Sequence, residues 1–251
     1  VGATENIMLA SCLAEGVTHI KNVAREPEIK CLQDFLNSMG ADIVGAGSNS
    51  IMIKGVKSLH ASSFKVIPDR IETGTYLLMA MATRGEILVK DVVPEHVESL
   101  IHKMKRMNCK VLVSQDSIFA KYNKYLKAVD VKTMPYPGFP TDLQSQFVTT
   151  MTLAKGTSIV VENIFENRYK YVNELLRMGA NITIEGKTAI IQGVDKLNAA
   201  KLEAKDLRGG AALIEAALTS EGESEITGIN YIERGYENIV QKLTSIGAII
   251  N

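Results

Sequence analysis

Apolar helical segments and short β-branched segments alternate along the chain. The helical segments IMLASCLA, TYLLMAMA and AALIEAAL carry apolar residues on nearly every side, which is typical of helices that lie within a domain rather than on its surface. Each is followed by a run in which apolar and polar residues nearly alternate, which predicts a strand with one exposed face. The pattern therefore predicts an α/β chain built of α+β repeats, with helices inside and sheets outside.

Glycine and asparagine residues mark four copies of this unit. A glycine precedes each first strand, at intervals of 66 to 71 residues: Gly16, Gly85, Gly156 and Gly222. A second marker follows each of these glycines by 23 to 25 residues: Gly40, Asn108, Gly179 and Gly247. Helices commonly end at Gly or Asn because these residues adopt the left-handed conformation easily. Four repeats of helix, strand, helix and two short strands are therefore predicted.

The third copy gives the clearest element boundaries. Its hydrophobic spacing changes from about 3.6 residues to near alternation and back again, which marks the change from helix to strand. The spacing predicts, in chain order, a helix over 141–155, a strand over 158–162, a helix over 167–178, and strands over 182–185 and 189–192.

A polar, small-residue stretch at 57–67, ending at Pro68, interrupts the first repeat boundary. We interpret it as a crossing between two lobes, with residues 1–67 at the end of the first lobe and 68–251 in the second. A single repeat before the crossing would leave a large apolar face exposed. The chain also starts at Val1 without a methionine, so we expect further repeats upstream.

Charged residues recur at the predicted helix starts. Arg168, Arg208 and Arg234 lie where backbone N–H groups lack helical partners and where the helix dipole favours anions. An arginine there is locally unfavourable, and its planar fork suits phosphate or carboxylate. The three residues together indicate a shared anion site, although each taken alone is commonly a solvated residue or the partner of a nearby acid.

Several acidic residues at the same positions have a simpler alternative role as helix caps. Asp142, in the segment FPTD, and Asp206 are both suited to the N-cap or first turn of a helix. Glu26 and Glu28 flank Pro27 in an ordinary acidic helix start. The residue pattern alone leaves capping and a functional role for Asp142 both open.

Composition excludes several classes of protein. The 28 basic residues balance the 28 acidic ones, which argues against a nucleic-acid binder held by phosphate contacts. No stretch of about 18 apolar residues is present, so no membrane span is expected. The three widely spaced cysteines fit a reducing cytoplasm, and the four histidines show no metal-ligand spacing. No cofactor or metal site is expected.

The chain resembles the enolpyruvyl transferases, and among them the UDP-N-acetylglucosamine 1-carboxyvinyltransferases. The segments that carry the resemblance are spread over essentially the whole chain: VGATENIML, AREPEI, PDRIETGTYL, FPTDLQSQF, FENRY, KDLRGGAAL and IERGYENI. The resemblance implies two lobes, each an inside-out α/β barrel of three repeats. Four of the expected six repeats would be present here.

The resemblance also implies a reaction and its residues. The family transfers the enolpyruvyl group of phosphoenolpyruvate to the 3′-hydroxyl of UDP-N-acetylglucosamine and releases phosphate, which is the first committed step of peptidoglycan synthesis in the cytoplasm. Asp142 corresponds to the residue that binds this hydroxyl and takes its proton. Arg208 and Arg234 correspond to residues that hold the phosphate and carboxylate of phosphoenolpyruvate.

Further residues are implied by the same motifs. Those expected to contact UDP-N-acetylglucosamine, besides Asp142, are Val1, Gly2, Thr141 and Ile164, the last through its backbone. Residues expected to shape the site are Arg168, Glu26, Glu28 and Asp69.

The family's N-terminal Lys-Asn pair and its mobile loop with a catalytic Cys or Asp have no counterpart here, and the three cysteines lie in the wrong motifs to replace that residue. The chain alone is therefore predicted to be inactive and to need a missing N-terminal part of the same protein. Two alternatives stay open: transfer to shikimate 3-phosphate or a related alcohol, and a non-catalytic binding protein built on the same repeat.

Overall fold

The computed structural model describes all residues from 1 to 251 and divides them into two compact units. The first unit contains Val1–Pro68 and Pro135–Gly138, and the second contains Asp69–Met134 and Phe139–Asn251. The assignment of residues 1–67 and 68–251 to two lobes of a larger protein stays a prediction. None of the helices combines the length and the apolar character needed to span a bilayer.

The first unit contains two helices and one three-stranded antiparallel sheet. The sheet order is β1-β3-β2, with Val17 and Asp42 both paired to Lys54. The elements are α1 (Gly2–Ser11), β1 (Val17–Lys21), α2 (Pro27–Ser38), β2 (Asp42–Val44) and β3 (Ser50–Lys54).

Helix α1 departs from the expected burial. Its Met8 side chain packs in the core of the first unit with Ile29 of α2 and Ile53 of β3. Ile7 and Leu9 on the same helix are exposed. The prediction that this helix is buried on nearly every side is therefore wrong within this unit, because only α2 and one sheet cover it.

The second unit contains seven helices and nine strands. Short 3₁₀ turns at Pro94–Val97 and Thr141–Leu143 lead into two of the helices. The elements are α3 (Arg70–Ala82), β4 (Glu86–Lys90), α4 (Glu98–Arg106), β5 (Lys110–Val113), β6 (Ser117–Lys121), β7 (Val131–Lys132), α5 (Gln144–Met151), β8 (Thr157–Val161), α6 (Val172–Arg177), β9 (Asn181–Glu185), β10 (Thr188–Gln192), β11 (Lys201–Glu203), α7 (Leu207–Thr219), β12 (Glu225–Thr227), α8 (Asn230–Glu233) and α9 (Ile239–Ser245).

Three sheets in the chain repeat one topology. The orders β1-β3-β2, β4-β6-β5 and β8-β10-β9 are the same, and β7 adds a parallel strand beside β8. Strands β11 and β12 form a separate parallel pair. The predicted α+β class is confirmed. No closed barrel is present, however, because the strands form four separate open sheets.

Helices α3, α5 and α7 form the interior of the second unit, as predicted. Every residue of α5 is buried, and the three helices contact one another. The sheets expose alternate residues, as in β8, where Ser158 and Val160 are buried and their neighbours are not. Small residues allow the helices to approach closely: a Cβ at Gly74 or Gly210 would overlap the side chain of a neighbouring leucine or isoleucine.

Two predicted boundaries in the third copy need correction. The helix predicted over 141–155 is a 3₁₀ turn followed by α5, which ends at Met151. The helix predicted over 167–178 starts only at Val172, as α6. Asn167 has a φ of 54°, which no α-helix accommodates, so residues 166–171 form turns instead.

A repeated backbone contact joins the glycine after one strand to the glycine that precedes the first strand of the same sheet. Gly193 follows β10, and its N–H donates to the Gly156 carbonyl at 3.1 Å. Gly55 after β3 makes the same bond to Gly16 at 2.9 Å. A Cβ at Gly193 would overlap the carbonyl oxygen of Ala154, and one at Gly55 would overlap that of Ala14. Glycine is required at both positions because backbone atoms occupy the space.

We predict that Gly193→Ala destabilises the second unit by about 3 kcal/mol or more, since the clash involves backbone and cannot be relieved by a rotamer change. Thermal unfolding followed by circular dichroism measures the effect. The matched control is Gly85→Ala, where a Cβ would make ordinary contacts only. Equal stability of the two variants would contradict this account of Gly193.

The helical interior contains a buried acid. Glu215 of α7 is fully buried, and the Thr150 hydroxyl of α5 donates to its Oε1 at 2.6 Å, while Oε2 has no partner. Burial raises the pKa of Glu215 well above its ordinary value, against the opposing effect of the Thr150 hydrogen bond. Glu215 is therefore expected to be a neutral carboxylic acid in the folded protein.

We predict that Glu215→Gln stabilises the protein at pH 7 by up to about 3 kcal/mol, because the wild-type chain must take up a proton to fold. The folded-state pKa is raised, so wild-type stability is complete below the unfolded-state pKa and falls as the pH rises above it. The gain should therefore vanish near pH 4. Urea unfolding at pH 4 and pH 7 measures it, and a variant that is less stable at both would contradict the assignment.

Candidate active site

Two arginines hold the Asp142 carboxylate. Nη2 of Arg168 donates to Oδ1 at 2.7 Å, and Nη2 of Arg208 donates to Oδ2 at 3.0 Å. The two arginine side chains are only 11% and 14% exposed, whereas that of Asp142 is 39% exposed. The site is therefore a carboxylate between two largely buried cations.

The position of Asp142 follows from the local sequence. Pro140 is extended, and the 3₁₀ turn Thr141–Leu143 then leads into α5, so Asp142 lies at the start of that helix. Its carboxylate accepts from side chains of other segments and makes no cap hydrogen bond to its own helix. The capping alternative is therefore not what the structure shows.

Arg208 is held at the start of α7 as predicted. Asp206 is the N-cap and accepts from the Gly209 N–H at 2.8 Å, which places Arg208 in the first turn. The Ser145 hydroxyl of α5 donates to the Arg208 carbonyl at 2.9 Å. The guanidinium carbon lies 5.5 Å from the centre of the Tyr236 ring, a cation–π geometry.

Tyr236 belongs to a buried polar cluster that sequence reasoning missed. Its hydroxyl lies 3.0 Å from the Thr75 hydroxyl of α3 and accepts from Nε2 of Gln146 of α5 at 2.9 Å. Burial raises the pKa of the Tyr236 phenol despite the opposing charge of Arg208. A neutral phenol thus supports Arg208 and joins three segments. Its only signal in the sequence was its place in IERGYENI.

Arg168 contacts the Asp142 segment at two points. Besides the carboxylate, its Nη2 reaches the Thr141 carbonyl at 3.3 Å. Its guanidinium carbon lies 4.9 Å from the centre of the Phe165 ring. Arg168 lies in a turn before α6, so the prediction that it lies in the first helical turn is wrong. The reason is the positive φ of Asn167, which prevents a helix from starting there.

Glu162 organises the loop that carries Arg168, and sequence reasoning did not identify it. It is 2% exposed and accepts from the Thr133 hydroxyl at 2.7 Å and the Thr141 hydroxyl at 3.0 Å. It also accepts from the backbone N–H groups of Ile164 and Phe165 at 2.8 and 2.9 Å. One buried carboxylate therefore joins the Arg168 loop to the Asp142 segment. An acid directly after the apolar strand SIVV was the signal available.

The charges determine the protonation of Asp142. Burial works to raise its pKa, but the positive charges of Arg208 and Arg168 and their hydrogen bonds outweigh burial and hold the pKa below the ordinary value. Asp142 is therefore ionised at neutral pH. It can accept hydrogen bonds, but it is a weaker base than an unpaired carboxylate.

Only one of the two backbone polar groups of Ile164 is hydrogen-bonded. Its N–H donates to Glu162, its side chain is exposed, and its carbonyl accepts no hydrogen bond. The carbonyl is thus available to a ligand. Thr141 lies next to Asp142 and uses its hydroxyl to bind Glu162.

Arg234 does not join this cluster. It is exposed and follows the last residue of α8, where it is the C-cap rather than a residue in the first turn of a helix. The sequence prediction is wrong because α8 is only four residues long and ends at Glu233. Arg234 makes no ion pair with Asp142, so the structure brings together only two of the three arginines, Arg168 and Arg208.

Two of the remaining candidate site residues, Asp69 and Glu26, are N-cap residues of helices. Asp69 is the N-cap of α3 and accepts from the N–H groups of Ile71 and Glu72 at 2.7 and 3.1 Å. Glu26 is the N-cap of α2, with Pro27 and Glu28 following in the first turn.

Val1 and Gly2 lie at the start of α1 in the first unit. Their contacts to a ligand, like those of Glu26 and Glu28, stay predictions.

Comparison with known proteins identifies the family. A family model described as EPSP synthase (3-phosphoshikimate 1-carboxyvinyltransferase) matches residues 1–243. The chain belongs to this enolpyruvyl transferase family. The family resemblance expected from the sequence is thereby confirmed.

Similar curated proteins carry a more specific name. A UDP-N-acetylglucosamine 1-carboxyvinyltransferase 2 from Caldanaerobacter subterraneus subsp. tengcongensis is 56% identical over 251 residues, which is 100% of this chain and 60% of the relative. A UDP-N-acetylglucosamine 1-carboxyvinyltransferase from Clostridium botulinum is 50% identical over 250 residues, again with 60% of its length covered. The chain thus spans about three fifths of the length of these relatives.

Solved structures agree with the fold. The enolpyruvyl transferase NikO from Streptomyces tendae superposes with a TM-score of 0.90 at 25% identity, over 100% of this chain and 60% of that one. An EPSP synthase from Acinetobacter baumannii gives a TM-score of 0.73 at 19% identity, over 95% and 58% of the two chains. The second likeness concerns the fold alone.

We predict that Asp142→Asn lowers stability at pH 7 by about 1–2 kcal/mol, because both guanidinium groups lose their charged partner at a site that is partly open to water. The pKa of Asp142 is depressed in the folded protein, so its contribution is present above the ordinary pKa of an aspartate. The contribution is lost as the pH falls through the folded-state value.

The difference between the wild type and Asp142→Asn should therefore shrink at strongly acidic pH. Thermal unfolding across pH 3–8 measures it. Asp116→Asn, an exposed aspartate without side-chain contacts, is the control and should be neutral. If Asp142→Asn leaves the stability at pH 7 unchanged, the two ion pairs do not stabilise the fold.

Proposed function

We propose that the chain is part of an enzyme that transfers the enolpyruvyl group of phosphoenolpyruvate to the 3′-hydroxyl of UDP-N-acetylglucosamine with release of phosphate. The single observation that carries the proposal is the carboxylate of Asp142 beside two buried guanidinium groups. A base for a hydroxyl and a cation for an anionic donor, Arg208, are thus adjacent. The names of relatives that are 50–56% identical support the choice of acceptor.

The chemistry assigns a role to each charged residue. Asp142 binds the acceptor hydroxyl and takes its proton as the oxygen attacks C2 of phosphoenolpyruvate, while the electrons of the C2=C3 double bond take up a proton at C3. The tetrahedral adduct then loses phosphate from C2 and a proton from C3, which restores the double bond. Arg208 and Arg234 bind the phosphate and carboxylate of the donor and stabilise the negative charge on the phosphate as it leaves. The exposed Arg234 can reach a ligand without breaking an existing contact.

Other residues bind the acceptor. We infer that Ile164 uses its carbonyl, which accepts no other hydrogen bond, and that Thr141 lies beside the reacting hydroxyl next to Asp142. Val1 and Gly2 contribute to a sugar- and diphosphate-binding segment. Arg168, Glu26, Glu28 and Asp69 shape the site. No cofactor or metal takes part in this scheme.

The complete protein is proposed to have two lobes of three repeats each, arranged as inside-out α/β barrels. Residues 1–67 and 68–251 would supply four of the six repeats. The relatives are longer than this chain, and a Lys-Asn pair and a loop with Cys or Asp are expected in the remaining sequence. The chain alone is therefore proposed to be inactive. The reaction would start peptidoglycan synthesis in the cytoplasm and so support cell-wall growth, cell shape and division.

Transfer to shikimate 3-phosphate is the alternative that a specific observation favours, because the matching family model bears that name. It is the weaker candidate, since the relatives at 50–56% identity are named for UDP-N-acetylglucosamine.

A chimera tests the proposed function. The 251 residues replace the part that they match in the 56%-identical relative, whose own remaining sequence completes the protein. We expect phosphate release from phosphoenolpyruvate with UDP-N-acetylglucosamine and none with shikimate 3-phosphate. Asp142→Asn should lower kcat by about 10²–10⁴-fold through loss of the base. The chain alone and Asp116→Asn in the chimera are the two controls.

The outcomes separate the candidates. A chimera that uses shikimate 3-phosphate instead contradicts the proposed acceptor. A folded chimera that releases no phosphate with either acceptor contradicts an enzymatic role and favours a non-catalytic binding protein. Turnover by the chain alone contradicts its proposed inactivity.

A further inference from the structure

The two arginines that hold Asp142 differ in how firmly they are bound. Arg168 makes the shorter contact, 2.7 Å, and the same nitrogen also reaches the carbonyl of Thr141. Its guanidinium lies against the ring of Phe165. Arg208 makes a single 3.0 Å contact to Asp142, and its guanidinium lies over the ring of Tyr236. Each arginine has one buried nitrogen without a hydrogen-bond partner, Nε of Arg168 and Nη1 of Arg208. Arg168 is therefore distinguished from Arg208 by its shorter contact to Asp142 and by one additional hydrogen bond, to the Thr141 carbonyl.

The segments of Arg168 and Asp142 are also joined independently of their ion pair. Glu162, directly after β8, accepts from the Thr141 hydroxyl on one side and from the Ile164 and Phe165 N–H groups on the other. Because Glu162 is buried, these hydrogen bonds are shielded from water. The segments that bear Arg168 and Asp142 are thus held together by the hydrogen bonds of Glu162.

Arg208 belongs to a different element and is placed to receive a second anion. It lies in the first turn of α7, where the helix dipole favours negative charge. Its unpaired Nη1 is a buried donor that the carboxylate of Asp142 does not satisfy. A phosphate or carboxylate group that binds Arg208 would compete with Asp142 for the same guanidinium.

On the basis of the function proposed above, we propose that Arg168 is a positioning residue for Asp142 and that Arg208 exchanges the Asp142 carboxylate for the anionic group of the donor substrate. Arg168 keeps Oδ1 in place, and departure of Arg208 leaves Oδ2 free. The acceptor hydroxyl then gives its proton to Oδ2 while its oxygen bonds to C2 of the donor, and the electrons of the C2=C3 double bond take up a proton at C3 from a general acid. The tetrahedral adduct then loses phosphate from C2 and a proton from C3, which restores the double bond. Binding of the donor thereby strengthens the base that the reaction needs.

The first experiment uses the chain itself and inorganic sulfate as the probe. The carboxyl ¹³C resonance of Asp142, assigned by its loss in Asp142→Asn, is titrated with pH at constant ionic strength with and without sulfate. We expect sulfate to move the titration midpoint to higher pH, because an anion draws Arg208 away from the carboxylate. In Arg208→Gln the midpoint should already be higher and should no longer respond to sulfate.

Two further variants serve as controls for the sulfate titration. Lys170→Gln removes a positive charge from an exposed residue in the Arg168 turn and should behave like the wild type. Arg168→Gln should raise the midpoint but retain the response to sulfate. A wild-type Asp142 midpoint that sulfate does not move, or an Arg208→Gln midpoint that sulfate still moves, overturns the exchange.

The second experiment measures kinetics in the chimera. Arg208→Gln should raise the KM for phosphoenolpyruvate by about 10–100-fold through loss of a charge-assisted hydrogen bond. Arg168→Gln should lower kcat and leave that KM within about twofold, since it removes no donor contact. It should also move the acidic limb of the pH profile to higher pH, because Arg168 and Arg208 are the charged groups in contact with Asp142. A merely structural defect would not move this limb.

Arg168→Lys keeps the charge and should restore part of kcat, which also covers the case in which Arg168→Gln does not fold. An Arg168 variant that raises the KM for phosphoenolpyruvate as much as Arg208→Gln contradicts the division of roles. A chimera without turnover contradicts the proposed function instead, and the sulfate titration of the chain still decides the exchange.

Discussion

The pairing of Asp142 with Arg168 and Arg208 is the interaction on which the site depends. Two guanidinium groups that are almost fully buried need a negative partner, since an isolated charge at such a position is strongly unfavourable. The carboxylate comes from the turn before α5, and the cations come from the turn before α6 and the first turn of α7. One carboxylate therefore fixes three segments that are far apart in sequence.

The helical interior makes this convergence possible. Because α5 is covered on all sides, its polar residues cannot reach water, and several of them pair with neighbouring segments instead. Gln146 does so with Thr75 and Tyr236, and Ser145 does so with the Arg208 backbone. These bonds set how the starts of the central helices lie relative to one another within the second unit. The geometry of the site thus depends on a few buried hydrogen bonds within a largely apolar core.

Local sequence was enough to predict most elements, because glycine and asparagine markers and changes of hydrophobic period are local signals. It was also enough to place Arg208 in a helical first turn. It failed where one residue overrode the pattern, as at Asn167, and where a helix was too short to continue, as at Arg234. It missed Glu162 and Tyr236 because their roles depend on partners far away in sequence: Tyr236 and Gln146 are 90 residues apart. The pattern of hydrophobic and polar residues is local and does not indicate which distant residues become hydrogen-bond partners.

An arginine at a helix start is unfavourable in isolation, yet here the unfavourable placement is compensated by a carboxylate from the neighbouring helix start. The protein's own carboxylate thereby satisfies part of the cationic surface before any ligand arrives. In the proposed exchange, an anionic ligand displaces Asp142 from Arg208, and breaking this ion pair lowers the net affinity for the ligand. The Asp142 carboxylate, once it has lost this cation, becomes a stronger base. In this proposed exchange, the same ion pair that stabilises the unliganded fold transmits the binding of an anion to the carboxylate of Asp142.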